Sequence, residues 1–278
     1  MNYWLKVVKG MPPGLRQYVI RKLYRYKTGK NLHSVRFYQN SLNYIYQLND
    51  VYIPAGLLNM FATYNYYEDW VNKLSAWAYK PKLGDIVLDI GAGIGEEVIV
   101  FSKMVGPVGK VYSIEANPDI FNVLTDVIIL NQLDNVSHHN LAIANENGEM
   151  KLHVSDSSFL GGSFEKTEYS VHEYLIRTNR MDEFIKNNAI NRIDLLKVNI
   201  EGAEKYVIGS IGNEIKKVRH VAISCHDFRF REEGNEFFIT KDLVIEFLQD
   251  NQFELKFQKS SIEDFNDWVY GVNKEYIS

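Results

Sequence analysis

From Gly84 onward, short apolar runs alternate with amphipathic stretches, and the first run ends in a glycine-rich turn, Leu88-Asp89-Ile90-Gly91-Ala92-Gly93-Ile94-Gly95. A run that apolar must be buried on both faces, and alternation of this kind builds a parallel sheet covered by helices on each side. Strands are expected at 86–90, 111–115, 136–140, 193–199, 218–225, about 253–257 and about 267–272. Helices are expected near 95–105, 118–130, 180–187, 203–208 and 240–250. The predicted fold class is α/β, a doubly wound, Rossmann-like and mostly parallel sheet of seven strands. Residues 81–278 form that domain in this reading, and residues 1–80 form an extension of a short helix, a small β element at 34–53 and a helix near 67–79 ended by Pro81.

The turn itself narrows the ligand. Glycines allow positive φ and close approach of a ligand to backbone. A nicotinamide fingerprint needs Gly-x-Gly-x-x-Gly, but the position five after Gly91 is Glu96, whose charge would face a pyrophosphate. The spacing Asp89-x-Gly91-x-Gly93-x-Gly95 suits S-adenosylmethionine, which carries a sulfonium cation and no phosphate. Glu115, closing the second strand 24 residues after Gly91, stands where an acid accepts bonds from ribose hydroxyls. Asp89, Gly91, Gly93, Gly95, Glu115, Ala116, Asn117 and Asn199 are therefore the expected cofactor-binding residues.

Charge is uneven along the chain. No acid precedes Asp50, while Lys6, Lys9, Arg16, Arg21, Lys22, Arg25, Lys27, Lys30 and Arg36 do; the remainder holds 22 bases against 35 acids. Leu15, Tyr18, Val19, Leu23 and Tyr26 recur at helical spacing over 15–27, and with Trp4 and Tyr24 they suggest a cationic amphipathic helix of the interfacial kind. Either residues 1–30 meet an anionic membrane, or the basic arm lies on the acidic body. There is no secretory signal and no spanning segment, so a cytoplasmic protein, peripheral at the inner membrane face, is expected. A single cysteine, Cys225, excludes an internal disulfide and gives no sign of thiol catalysis, and no metal-ligand cluster is legible.

The specific block is Ile193-Asp194-Leu195-Leu196-Lys197-Val198-Asn199-Ile200-Glu201-Gly202-Ala203-Glu204. Together with the glycine turn, Glu115-Ala116-Asn117-Pro118 and Leu130-Asn131, it resembles the FkbM-type methyltransferases, class I S-adenosylmethionine-dependent enzymes acting mainly on hydroxyls of sugars and polyketides. The resemblance runs from about Tyr67-Glu68 to His226. Two departures stand out: the family commonly has Asn at the second residue after its first motif glycine, where Ala92-Gly93 stands here, and usually Asp at the position of Asn199. What the resemblance implies is O-methylation of a hydroxyl, on a sugar of a glycan or glycolipid such as a lipid-linked glycan.

Lys197, Asn199 and Glu201 alternate at the carboxyl end of an apolar strand and so point into the crevice where doubly wound sheets bind ligands. Glu201 and His226 are the candidate bases, with Lys197 orienting the acceptor; Glu201 or Asp89 is the expected partner of a lysine inside Leu-Leu-Lys-Val. Glu204, in the first turn of the next helix, is equally well read as a dipole-complementing residue. The long segment 144–179, with a strand at 151–154 and a Ser- and Gly-rich loop at 155–163, is expected to shape the acceptor pocket. Two other functions stay open: methylation of a soluble, polyketide-like acceptor, and a non-catalytic module on the same fold whose basic end binds nucleic acid or an anionic surface. Nucleic acid is not the expected partner.

Overall fold

The computed structural model describes residues 7–276 apart from 9, 39, 41, 57, 156–161 and 167–169. Trp4, Lys6, Lys9 and most of the loop expected at 155–163 lie outside the described residues. The chain opens with α1 (Pro13–Thr28), then an antiparallel meander of β1 (Ser34–Tyr38), β2 (Asn43–Leu48) and β3 (Val51–Gly56), then α2 (Tyr64–Lys73). The α/β domain follows as β4 (Ile86–Ile90), α3 (Val98–Val105), β5 (Lys110–Glu115), α4 (Pro118–Leu130) and β6 (Val136–Asn140). Next come β7 (Ala142–Ile143), β8 (Gly148–Ser155), β9 (Gly162–Ser163) and β10 (Ser170–Asn179), which form a four-stranded sheet of their own. The chain ends with α5 (Met181–Asn187), β11 (Ile193–Val198), α6 (Glu204–Ile211), β12 (Val218–Ser224), α7 (Asp227–Glu233), α8 (Lys241–Asp250), β13 (Phe253–Lys256) and β14 (Trp268–Asn273). Among the described residues no helix is long and apolar enough to cross a membrane.

The main sheet has seven strands in the order β13-β14-β12-β11-β4-β5-β6, parallel except that β14 runs against both of its neighbours. The doubly wound sheet expected from the sequence is therefore present. Strand order reverses between β4 and β11, and ligands of such sheets bind at the carboxyl ends of the strands that flank this reversal. All six residues of β11 are buried, as are four of the five in β4. The parallel register sets Lys197 beside Asp89. Side chains of residues directly opposite share a face and touch, so this register brings together two charged groups from either half of the domain.

Capping chemistry places the helices. Asn117 accepts from the Asp119 N–H, Pro118 occupies the first turn, and α4 runs over the expected 118–130. Thr63 caps α2 by accepting from the Tyr66 N–H, so that helix spans Tyr64–Lys73 instead of 67–79. Its end comes at Leu74, well before Pro81. In the segment expected to be mostly loop, β8 and β10 pair antiparallel along most of their lengths.

The extension shares its core with the domain. Ile20, Tyr24, Tyr44, Tyr46 and Ile53 belong to the same buried cluster as Val98, Phe101, Leu124 and Tyr270. Asn131 of the chain after α4 donates to Tyr52 O and accepts from its N–H. The inward stripe of α1 is Ile20 and Tyr24, and the Tyr24 hydroxyl donates to Ala62 O at 3.0 Å. Leu15, Tyr18, Leu23 and Tyr26 are exposed, because the meander takes the opposite side of the helix.

Candidate functional site

The floor of the site is where β4 and β11 end side by side. Gly91 has φ +80°, and a Cβ there would lie 2.0 Å from the carbonyl oxygen of Asn199. The glycine is thus needed first for the close crossing of two strand ends, a condition the sequence did not disclose. Lys197 ties this crossing together. Its ammonium pairs with Asp89 Oδ1 at 2.8 Å and Glu97 Oε2 at 2.8 Å, and donates to Gly91 O at 2.8 Å. Two carboxylates and a carbonyl thus enclose the ammonium. Burial pulls the lysine's pKa down, but Asp89 and Glu97 outweigh it, so the charge is held. Burial likewise pushes Asp89 up, and Lys197 offsets part of the rise.

This geometry corrects two expectations. Lys197, 1% exposed, is turned inward to these partners and does not line the cleft above. Asp89, wholly buried, is its partner and does not face a ligand; Glu201, the other partner considered, is engaged elsewhere. Gly95 also serves packing, since a Cβ there would stand 3.0 Å from Leu124 Cδ1 of α4. Asn117 is the cap of α4.

Above the floor lies a cleft of about 540 Å³, part of it open to solvent, lined by Gly91, Glu115, Ala116, Asn199 and Glu201 with the apolar Ile114, Leu141, Leu152 and Phe164. Glu115 accepts from the Gly93 N–H at 3.0 Å and from the Asn117 N–H at 2.8 Å. Each carboxylate oxygen thereby keeps a lone pair for a ligand while its position is set by backbone. Burial pushes its pKa up to about 7, although both N–H bonds act against that rise. Leu152 of β8 and Phe164, just after β9, bring the small sheet over the same cleft, so the described part of 144–179 walls the space beside Glu115 and Ala116.

At the mouth, Glu201 (φ +57°) and Gly202 (φ +90°) both take the left-handed conformation and swing the chain off β11 into α6. A non-glycine residue held there costs about 1–3 kcal/mol, a strain that clusters at functional sites. Glu201 Oε2 accepts from Arg229 Nη1 at 2.8 Å, and its Oε1 stands 3.7 Å from His226 Nε2. His226 Nδ1 lies 2.9 Å from Glu204 Oε1. Glu204 is wholly buried and also accepts from Thr240 Oγ1 and the Ile200 and Gly202 N–H groups. Burial alone would drive the proton off His226, but Glu204 and Glu201 reverse this and raise its pKa to about 9. Glu204 is held low by the same contact, against its own burial. The histidine at this mouth is an imidazolium at neutral pH.

The sequence matches the methyltransferase FkbM domain over residues 89–260, well over half of the chain. The chain belongs to the FkbM methyltransferase family. Its curated relative, the hexuronic acid methyltransferase AglP of Haloferax volcanii, is 25% identical over 150 residues, covering 51% of this chain and 56% of that protein. Among solved structures, the methyltransferase FkbM from Methylobacillus flagellatus is 16% identical, with a TM-score of 0.47 over 77% of this chain and 51% of its own. Fibrillarin from Aeropyrum pernix, crystallised with natively bound S-adenosyl-L-methionine, is also 16% identical, with a TM-score of 0.47 over 87% of this chain and all of its own.

In this member of the FkbM family, four residues of the site escaped sequence reasoning. Glu97 and Thr240 carry no motif and become partners only through the fold. Arg229 stands one turn into α7, a helix of seven residues too short to show a periodic signal. Glu96 was noticed only as an obstacle to a phosphate; burial raises its pKa to about 7. Cys225 is buried, and burial lifts its thiol pKa well above the usual value, which leaves it inert.

Proposed function

We propose that this FkbM methyltransferase takes S-adenosylmethionine in the Glu115 cleft and transfers its methyl group to a sugar hydroxyl presented at Glu201. The supporting observation is Glu115, aimed into the cleft by two backbone N–H groups with lone pairs to spare for ribose hydroxyls. No cationic side chain among the described residues lines the cleft, which suits a ligand with a sulfonium and no phosphate. When bound, the cofactor supplies an activated methyl carbon: its bond to sulfur breaks as the bond to the hydroxyl oxygen forms, and S-adenosylhomocysteine is left. Asn199 and Gly91 bound the donor, Ala116 and Leu141 its apolar part, and alignment of the two reactants is the main contribution of the protein.

Glu201 accepts the hydroxyl proton, directly or on its way to water. His226 is unsuited to that task, since its Nδ1 faces Glu204 and it already carries a proton. Its role is to hold Glu201 in place, together with Arg229. A sugar acceptor fits both the family and the relative named for hexuronic acid methylation. The direct test is calorimetric titration with S-adenosylmethionine and S-adenosylhomocysteine, repeated on Glu115→Ala. Binding weakened by about 10- to 100-fold, the 1–3 kcal/mol of a buried hydrogen-bonding group, is expected; no binding to the folded wild type would sink the reading.

A specific observation also supports placing this chemistry at an anionic membrane surface. The outward face of α1 sets the exposed Leu15, Tyr18 and Tyr26 beside Arg21, Lys22 and Arg25, and none of these three cations pairs with a carboxylate among the described residues. Lys22→Glu with Arg25→Glu should lower affinity for vesicles containing phosphatidylglycerol by about tenfold or more, at roughly 1 kcal/mol per basic residue. Unchanged vesicle binding would leave α1 as a structural helix only.

A further inference from the structure

A second hollow lies behind the glycine turn. It encloses about 860 Å³, partly open to solvent, between α2 and the start of α3, and is lined by Asn59, Tyr66, Tyr67, Trp70, Glu96 and Glu97 among others. Lys197 stands between the two at their base: it donates to Gly91 O, on the donor cleft, and pairs with Glu97, on the hollow. The far wall of the hollow leads toward the mouth at Glu201: Trp70 packs on Phe265, and Asp267, two residues on, accepts from the N–H of Phe228, whose ring lies 5.6 Å from that of His226.

Its walls are of two kinds. One side is aromatic: Tyr66 and Trp70 stand one helical turn apart with rings 6.2 Å apart edge to face, and Trp70 packs likewise on Phe265 at 5.7 Å. Those contacts fix the Trp70 ring, yet the residue stays 38% exposed, so an indole face is presented and not consumed by the core. The other side is acidic. Among the described residues Glu96 forms no ion pair, and Lys197 is already paired with Asp89 and Glu97. A rigid aromatic face opposite hydrogen-bonding acceptors suits a pyranose, whose ring carries C–H groups on one face and hydroxyls around its edge.

We propose that this hollow seats the acceptor's sugar ring, with its C–H face on Tyr66 and Trp70 and its hydroxyls on Glu96 and Asn59, and that its charge selects a neutral or amino sugar over a uronic acid. A uronate placed there would bring a third carboxylate against Glu96 and Glu97 with no free cation to meet it, an exclusion by repulsion. The relative's hexuronic acid need not carry over, because α2, which supplies the aromatic wall, precedes residue 89, where the family match begins. The inference rests on the reading of the acceptor as a sugar.

The test is steady-state methyl transfer from labelled S-adenosylmethionine by the full chain to p-nitrophenyl β-glucoside, β-glucosaminide and β-glucuronide. It is run on wild type, Trp70→Ala, Glu96→Gln and Glu96→Lys, with S-adenosylhomocysteine affinity measured on each. Expected are a preference of about tenfold or more for the uncharged or amino glycoside, and a KM raised about tenfold in Trp70→Ala and Glu96→Gln, as befits loss of a central contact. Donor affinity should stay within about twofold in both variants. Glu96→Lys should shift preference toward the glucuronide. If wild type methylates sugars but the variants leave KM unchanged, or if it prefers the glucuronide, the hollow is not the acceptor subsite while the sugar reading stands. If no glycoside is methylated although donor binds, both fall. Loss of S-adenosylhomocysteine affinity in Glu96→Gln would instead assign the hollow to the donor and overturn the proposal.

Discussion

Two charged clusters flank the end of β11, and they differ mainly in whether water reaches them. Around Lys197 the inner pair is closed: Lys197 and Asp89 are 1% and 0% exposed, and only Glu97, the outer partner, reaches an opening. Around His226 the inner half is just as dry, with Glu204 and Thr240, but the outer half opens at Glu201, whose side chain is 33% exposed and lines the cleft. Both clusters draw on the same sequence block, in which Lys197 and Glu201 stand four positions apart. A charge closed in among its own partners holds strands together. A cluster with one acceptor left at a cleft can hold a substrate. Residue type does not distinguish a scaffold from a reacting group here; burial does.

The comparison breaks most sharply at Lys197. In Lys197→Met, Asp89 and Glu97 lose their only shared cation, and a buried pair broken on one side costs about 3–5 kcal/mol. At about 2–4 °C per kcal/mol for a domain of this size, the melting temperature should drop by about 10 °C. A drop of only a degree or two would mean that the cluster is no scaffold. Glu201→Gln should act in the opposite way: turnover falls about 10²- to 10⁴-fold, the usual worth of a positioned base, with melting temperature and S-adenosylhomocysteine affinity nearly unchanged. Weakened cofactor binding there would move Glu201 to the donor side.

The smallest effect sharpens the inner half of the open cluster. His226 holds its proton more tightly folded than unfolded, with a pKa raised from 6.5 to about 9. The stability it contributes is complete below about 6.5 and is lost as pH climbs through about 9. The melting-temperature gap between wild type and His226→Gln should therefore narrow as pH rises over that window. A gap that does not change with pH would mean that packing, not the ion pair with Glu204, holds the imidazole.

Much of this was legible before any coordinates. Periodicity placed the seven strands of the main sheet and most of its helices to within a few residues, because strand and helix repeats and caps such as Asn117 and Pro118 are properties of neighbours in sequence. The same local signal located the glycine turn, Glu115 and the Lys197–Glu204 block. What it missed shares one cause. On α1 the stripe of Leu15, Tyr18 and Leu23 stays outward, and the inward face of Ile20 and Tyr24 escaped the sequence because only packing on the meander selects it. Likewise β10, half polar and half exposed, exists because β8 pairs with it.

The sequence by itself determined the fold class, the family and the end of the sheet at which the site lies, since each depends on patterns a few residues long. Only the tertiary structure decided which charges meet. Register set Lys197 against Asp89, the crossing of β4 and β11 explained Gly91, and α7 delivered Arg229 to Glu201. Those contacts join residues as much as 108 positions apart, and electrostatic roles follow from distance and burial in space, which no local pattern carries.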